Sequence, residues 1–121
     1  MRFPLVLAFV AVTACGGGSS DGGTPTTPIV PRTPSPPVAT TSVSLRNNLF
    51  DPVDIVVVPS ATITFSNADG RDHNVSFANQ TITSVTNWST GDRTVAMPAA
   101  TGTYAYTCTL HGGMNGTVKV Q

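Results

Sequence analysis

Glutamate is absent from this 121-residue chain, lysine occurs once, and only 10% of the residues are charged. Six Lys/Arg stand against six acidic residues, all Asp, so there is no basic excess to hold a nucleic-acid backbone. Long apolar runs are missing as well. The longest, Phe3 to Ala14, is about 12 residues, short of the roughly 18 to 20 that cross a bilayer as a helix. Histidine occurs twice (His73, His111) and cysteine twice (Cys15, Cys108), which leaves material for one small imidazole and thiol site and for at most one disulfide.

The apolar run follows Arg2 and has neither a cap nor a polar face, the layout of an export signal over residues 1–14. It ends VTAC, which resembles the lipobox of bacterial lipoproteins. The resemblance implies that Cys15 becomes the lipidated first residue of an exported protein, periplasmic or at the cell surface. Two or more acyl chains, at roughly 0.8 kcal/mol per buried CH2, would anchor it without a spanning helix. The other use of Cys15 is a disulfide to Cys108, which export would permit. Residues 15–40 continue as GGGSSDGGTPTTPIVPRTPSPPVAT after the cysteine, without apolar periodicity, and read as a coil and semi-extended tether.

From Thr41 the pattern changes to period-two alternation, and residues 41–121 read as one all-β domain. Strands are expected at Ser42–Leu45, broken by Asn47-Asn48, then at Val53–Val58 between two prolines and at Thr62–Ser66. His73 falls where the polar turn NADGRD leads into a strand over Asn74–Phe77. Residues 79–92 read as a polar connection with weak β character at Ile82–Val85, and Trp88 as a cap on the core. Strands follow at Arg93–Met97, at Thr103–Thr107 with Tyr104, Tyr106 and Cys108 on one face, and at Gly116–Val120. Seven to eight short strands at such spacings predict a Greek-key β-sandwich.

The chemistry gathers in CTLHGGM, where Cys108, His111 and Met114 fall at i, i+3 and i+6. Thiolate, imidazole and thioether are donors suited to copper, and a His2Cys site with a weak axial Met requires one further histidine. His73 is the only other in the chain. Gly112 and Gly113 offer backbone angles closed to other residues, so the loop can wrap an ion.

The stretches LFDPVDIVVVPSATITFSN, HNVSF and GTYAYTCTLHGGMNGTVKV together resemble the cupredoxins of the plastocyanin and amicyanin type. The resemblance implies one type 1 copper held by His73, Cys108, His111 and Met114. It also implies that Asn74 donates its backbone N–H to the thiolate and ties the ligand loops together. Three positions depart from the pattern: Asp72 and Leu110 stand where proline is usual, and Thr107 where plastocyanin has an aromatic residue. Leu110, unlike proline, has an N–H, and is expected to give the sulfur a second hydrogen bond.

The function expected is a one-electron carrier that is not an enzyme. Copper oxidases and nitrite reductases need more histidines than the two present. A storage or delivery protein is the alternative, but it would show extra surface Met or His clusters. Arg46, Arg71, Arg93 and Lys119 against Asp51, Asp54, Asp69, Asp72 and Asp92 leave a balance near −1 in residues 41–121, too little for strong steering. A monomer is expected to meet redox proteins through a small apolar rim around His111 that includes Leu110, Met97 and Pro98.

Overall fold

The computed structural model describes residues 34–121. The signal segment, Cys15 and the tether up to residue 33 lie outside the described residues. No helix forms among the described residues, because the apolar positions recur every second residue and Gly, Pro and Asn punctuate them. Ten strands form: β1 (Val38–Ala39), β2 (Ser42–Arg46), β3 (Leu49–Asp51), β4 (Asp54–Val57), β5 (Thr62–Asn67), β6 (His73–Phe77), β7 (Val85–Trp88), β8 (Gly91–Ala96), β9 (Gly102–Thr107) and β10 (Asn115–Val120).

The strands build two sheets, ordered β1-β4-β10-β9-β6-β7 and β3-β2-β5-β8. Sequence neighbours are often in different sheets, so the chain crosses repeatedly between layers, as expected of the all-β sandwich. Three features differ from the sequence reading. Asn47 and Asn48 do not simply end a strand: with φ of 53° and 57° they turn the chain within two residues, and Arg46 pairs with Leu49 across the turn. Asparagine tolerates this left-handed conformation, and the resulting hairpin adds β3. Val38 and Ala39 pair in parallel with Ile55 and Val56, so the sheet begins before Thr41. The weak strand expected at Ile82–Val85 forms instead at Val85–Trp88. Asn79 accepts from the Thr81 N–H through Oδ1 and from the Ile82 N–H through its carbonyl, and this turn removes Ile82 from the strand while still burying it.

The alternation otherwise holds. Val43, Leu45, Ile55, Ile63, Phe65, Val75, Val118 and Val120 are all 1% exposed or less, and they fill the layer between the sheets. At roughly 1.5 to 3 kcal/mol per buried large apolar side chain, this packing is the main stabilising term. Tyr106 of β9 is its aromatic centre, edge-on to Phe50 at 4.8 Å and to Phe65 at 5.5 Å. Its hydroxyl donates to the Val53 carbonyl (3.1 Å), and its ring lies over Gly116, its partner in β10. Burial, with the charge of Asp54 second, pushes the Tyr106 phenol well above its ordinary value.

The pairing also sets which loops share a pole. Leu45 pairs with Asn67, Asn67 with Gly91, and His73 with Trp88. The β2–β3 turn, the β5–β6 loop, the β7–β8 turn and the β9–β10 loop therefore crowd one end of the sandwich. The β8–β9 connection is at the other end, where Thr62 pairs with Ala96 and Val120 with Gly102.

Candidate metal centre

His73 is the first residue of β6 and is 0% exposed, and Cys108 follows the last residue of β9 at 1%. Both are thus placed by paired backbone. The β9–β10 loop closes on itself: the Cys108 N–H donates to the Met114 carbonyl (2.9 Å), the Met114 N–H to the His111 carbonyl (3.3 Å), and the Thr107 hydroxyl to the Met114 carbonyl (3.1 Å). Thr107, which stands where plastocyanin has an aromatic residue, is therefore a staple of this loop. Of the two loop glycines Gly113 takes the left-handed conformation, at φ 81°.

These constraints bring the donors together. Cys108 Sγ is 3.4 Å from His111 Nδ1 and 3.9 Å from His73 Nδ1, and the three ligand atoms lie within 4.8 Å of one another. The two imidazole rings are 4.7 Å apart and tilted by 51°. Met114 is fully buried at the end of the same loop, while His111 is half-buried. Two Nδ1 atoms and one sulfur converging, with His73, Cys108 and Met114 buried, fit a borderline to soft metal ion, copper above all when a methionine is in the same loop.

Asn74 links the two ligand-bearing segments. Its N–H points at Cys108 Sγ (3.5 Å), its side chain donates to Thr109 Oγ1 (2.8 Å) and Asn87 Oδ1 (2.9 Å), and its Oδ1 accepts from the Thr109 N–H (2.8 Å). Asn87 is within reach because His73 pairs with Trp88, which sets Asn74 and Asn87 opposite one another across β6 and β7. Leu110, in contrast, makes no hydrogen bond to the sulfur. Leu110 lies in the turn at Thr109-Leu110 and is 45% exposed, and the Asn74 N–H is the backbone donor to the sulfur among the described residues.

The expected apolar rim also changes. Met97 is 4% exposed and, with Pro98, follows the end of β8, at the pole opposite the ligands. The sequence showed that Met97 alternates with Val95 but not which end of the sandwich the strand's exit reaches. Leu110 remains beside His111. Leu49, 52% exposed, belongs to the β2–β3 turn at the same pole.

Asp69 was missed as a site residue. Both carboxylate oxygens face His73 Nε2, at 3.0 and 3.2 Å. Burial pushes its carboxyl up, but the hydrogen bonds it accepts from the Arg71 N–H and from His73 outweigh this and hold it below the ordinary carboxylate value. Its spacing of four from His73 was the only available signal, and in a loop that spacing carries no fixed geometry.

The profile of the copper-binding proteins of the plastocyanin/azurin family matches residues 39–121. No curated protein matches the chain. Among solved structures, an amicyanin variant in its oxidised state is 24% identical with a TM-score of 0.59, the match covering 66% of this chain and 80% of that one. The Cu(I) form of a second amicyanin variant is also 24% identical at a TM-score of 0.60, covering 69% and 86%. A purple cupredoxin from Nitrosopumilus maritimus is 22% identical at 0.59, covering 66% and 98%. At these identities the structures establish the sandwich fold.

Proposed function

Because the chain belongs to the plastocyanin/azurin family of copper-binding proteins, we propose that it is a one-electron carrier whose single type 1 copper is held by His73, Cys108, His111 and Met114. The observation that carries this reading is the convergence of the His73, Cys108 and His111 ligand atoms within 4.8 Å, in a family that binds copper. Bound copper supplies the Cu(II)/Cu(I) couple. The chain supplies the frame. Strand pairing and the loop bonds onto Met114 hold the donors in one arrangement, which limits the rearrangement that would slow electron transfer. The Asn74 N–H points at the sulfur, and burial of His73, Cys108 and Met114 would keep water from a bound ion.

His111 is the one donor residue of the four that is not fully buried, which makes it the route by which electrons would enter and leave. Exposed Leu110 beside it suits a small, transient interface with a redox protein, on the order of 1,200 Å2 or less in total. Residues 15–40, with a lipid on Cys15, would tether the carrier to a bacterial membrane on the exported side. Both histidines are taken by the one centre, which leaves none for a second copper and supports a carrier over an enzyme.

The test is the visible spectrum of the full chain loaded with Cu(II). An intense thiolate-to-copper band near roughly 600 nm is expected of this site class, and a colourless protein refutes the reading. Cys108→Ser and His73→Ala should each abolish the band. Its persistence in His73→Ala would refute the ligand set.

A further inference from the structure

The four-ligand reading leaves Asp69 unused, yet its loop is built around it. Asn67, 5% exposed, donates from Nδ2 to the carbonyls of Arg71 (2.7 Å) and Trp88 (2.8 Å) and accepts the Asp69 N–H at Oδ1 (3.4 Å). The Arg71 N–H donates to Asp69 Oδ1 (3.1 Å). The loop is thereby pinned to β7 and closed on itself, with the carboxylate presented to His73 Nε2 at 3.0 and 3.2 Å. The pair is not an exposed surface contact: the His73 side chain is 0% exposed and that of Asp69 15%. Water therefore screens the carboxylate charge only in part.

The other ring nitrogen, Nδ1, faces Cys108 Sγ at 3.9 Å. A neutral imidazole has one N–H and one bare nitrogen, and the nitrogen that binds a metal must be bare. With Nδ1 turned to the ligand cluster, the proton belongs on Nε2, where a carboxylate accepts it in a charge-assisted bond. We propose that Asp69 is a positioning residue of the copper site, which locks His73 in its Nε2–H tautomer and makes the ring a more electron-rich donor, so that Cu(II) is favoured over Cu(I). Partners of this kind, carboxylates on the far nitrogen of a ligating histidine, change metal affinity by roughly 10- to 100-fold in other metal sites. The inference rests on the copper reading for its redox half. Its tautomer half concerns the chain alone.

Two measurements on the full chain test it. Nitrogen-15 NMR of the metal-free wild type should show His73 as the Nε2–H tautomer, and Asp69→Ala should convert it to a mixture or to Nδ1–H. With copper, the ratio of Cu(II) to Cu(I) affinity should fall by about tenfold in Asp69→Ala, an upward shift in potential of about 59 mV. Asp69→Asn, which keeps the shape and an acceptor oxygen but not the charge, should fall between wild type and Asp69→Ala. An Nδ1–H tautomer in the wild type, or a ratio within about 1.5-fold of wild type in both variants, would overturn the proposal. A wild type that takes up copper without the charge-transfer band would instead refute the copper reading, and the NMR result would still decide the tautomer.

Discussion

Replacing Gly116 by alanine should damage the strand that delivers Cys108, although no ligand is touched. A Cβ at position 116 would fall 2.5 Å from Tyr106 Cζ, 2.6 Å from its hydroxyl oxygen, and against the Val53 carbonyl oxygen. None of these can withdraw easily. The carbonyl is backbone at the head of β4 and already accepts the Thr117 N–H, while the ring is 2% exposed and packed against Phe50, Phe65 and Phe77. Overpacking of a tight core costs about 1 to 3 kcal/mol. Pushing the Tyr106 hydroxyl from its 3.1 Å bond to Val53 leaves a buried polar group unpaired, a further cost of about 1 to 3 kcal/mol. The sum, about 2 to 6 kcal/mol, is a large part of the roughly 4 to 12 kcal/mol expected for a domain of this size. Urea unfolding of the metal-free protein should show a lower midpoint at unchanged slope, and the melting temperature should fall by at least about 8 °C. Tyr106→Phe added to Gly116→Ala should recover only part of the loss, since the contacts to Cζ and to the Val53 carbonyl persist. A loss below about 0.5 kcal/mol would refute this packing account.

Tyr106 also predicts an alkaline limit. A phenol whose folded value is raised contributes stability that is fully present below its unfolded value of 10.0 and is lost as pH rises beyond it. Unfolding free energy of the metal-free protein should therefore fall above about pH 10, and Tyr106→Phe should flatten that fall. Asn74→Ala deletes the side-chain bonds to Asn87 and Thr109 but keeps the backbone N–H to the sulfur. We expect a loss of about 2 to 4 kcal/mol in chemical denaturation with the copper band retained; full stability would show that the two loops hold without this tie. Copper at 100 times its dissociation constant should stabilise the wild type by about 2.7 kcal/mol, read as a higher melting temperature that a chelator reverses. Cys108→Ser should lose most of that gain.

How much was legible in the sequence follows from the range of each interaction. Alternation along Ile63 and Phe65, Val75 and Phe77, or Val118 and Val120 is a local property of a pleated strand, so the all-β class and the buried faces could be read directly. The spacing of Cys108, His111 and Met114 is local too, and with only one other histidine in the chain the donor set had few alternatives. What needed the tertiary structure was direction and pole. Met97 and Pro98 lie at the far end because β8 runs away from the ligands, which the pairing of Asn67 with Gly91 and of Thr62 with Ala96 decides. Leu110 has an N–H, but the backbone amide that the fold brings to the sulfur is that of Asn74. Asp69 became visible only when the loop bonds of Asn67 set its carboxylate against His73 Nε2. The sequence by itself determined which donors were available and what they could bind. The structure decided which backbone amide reaches the sulfur and which carboxylate stands behind the buried imidazole, because both depend on segments far apart in the chain meeting at one pole.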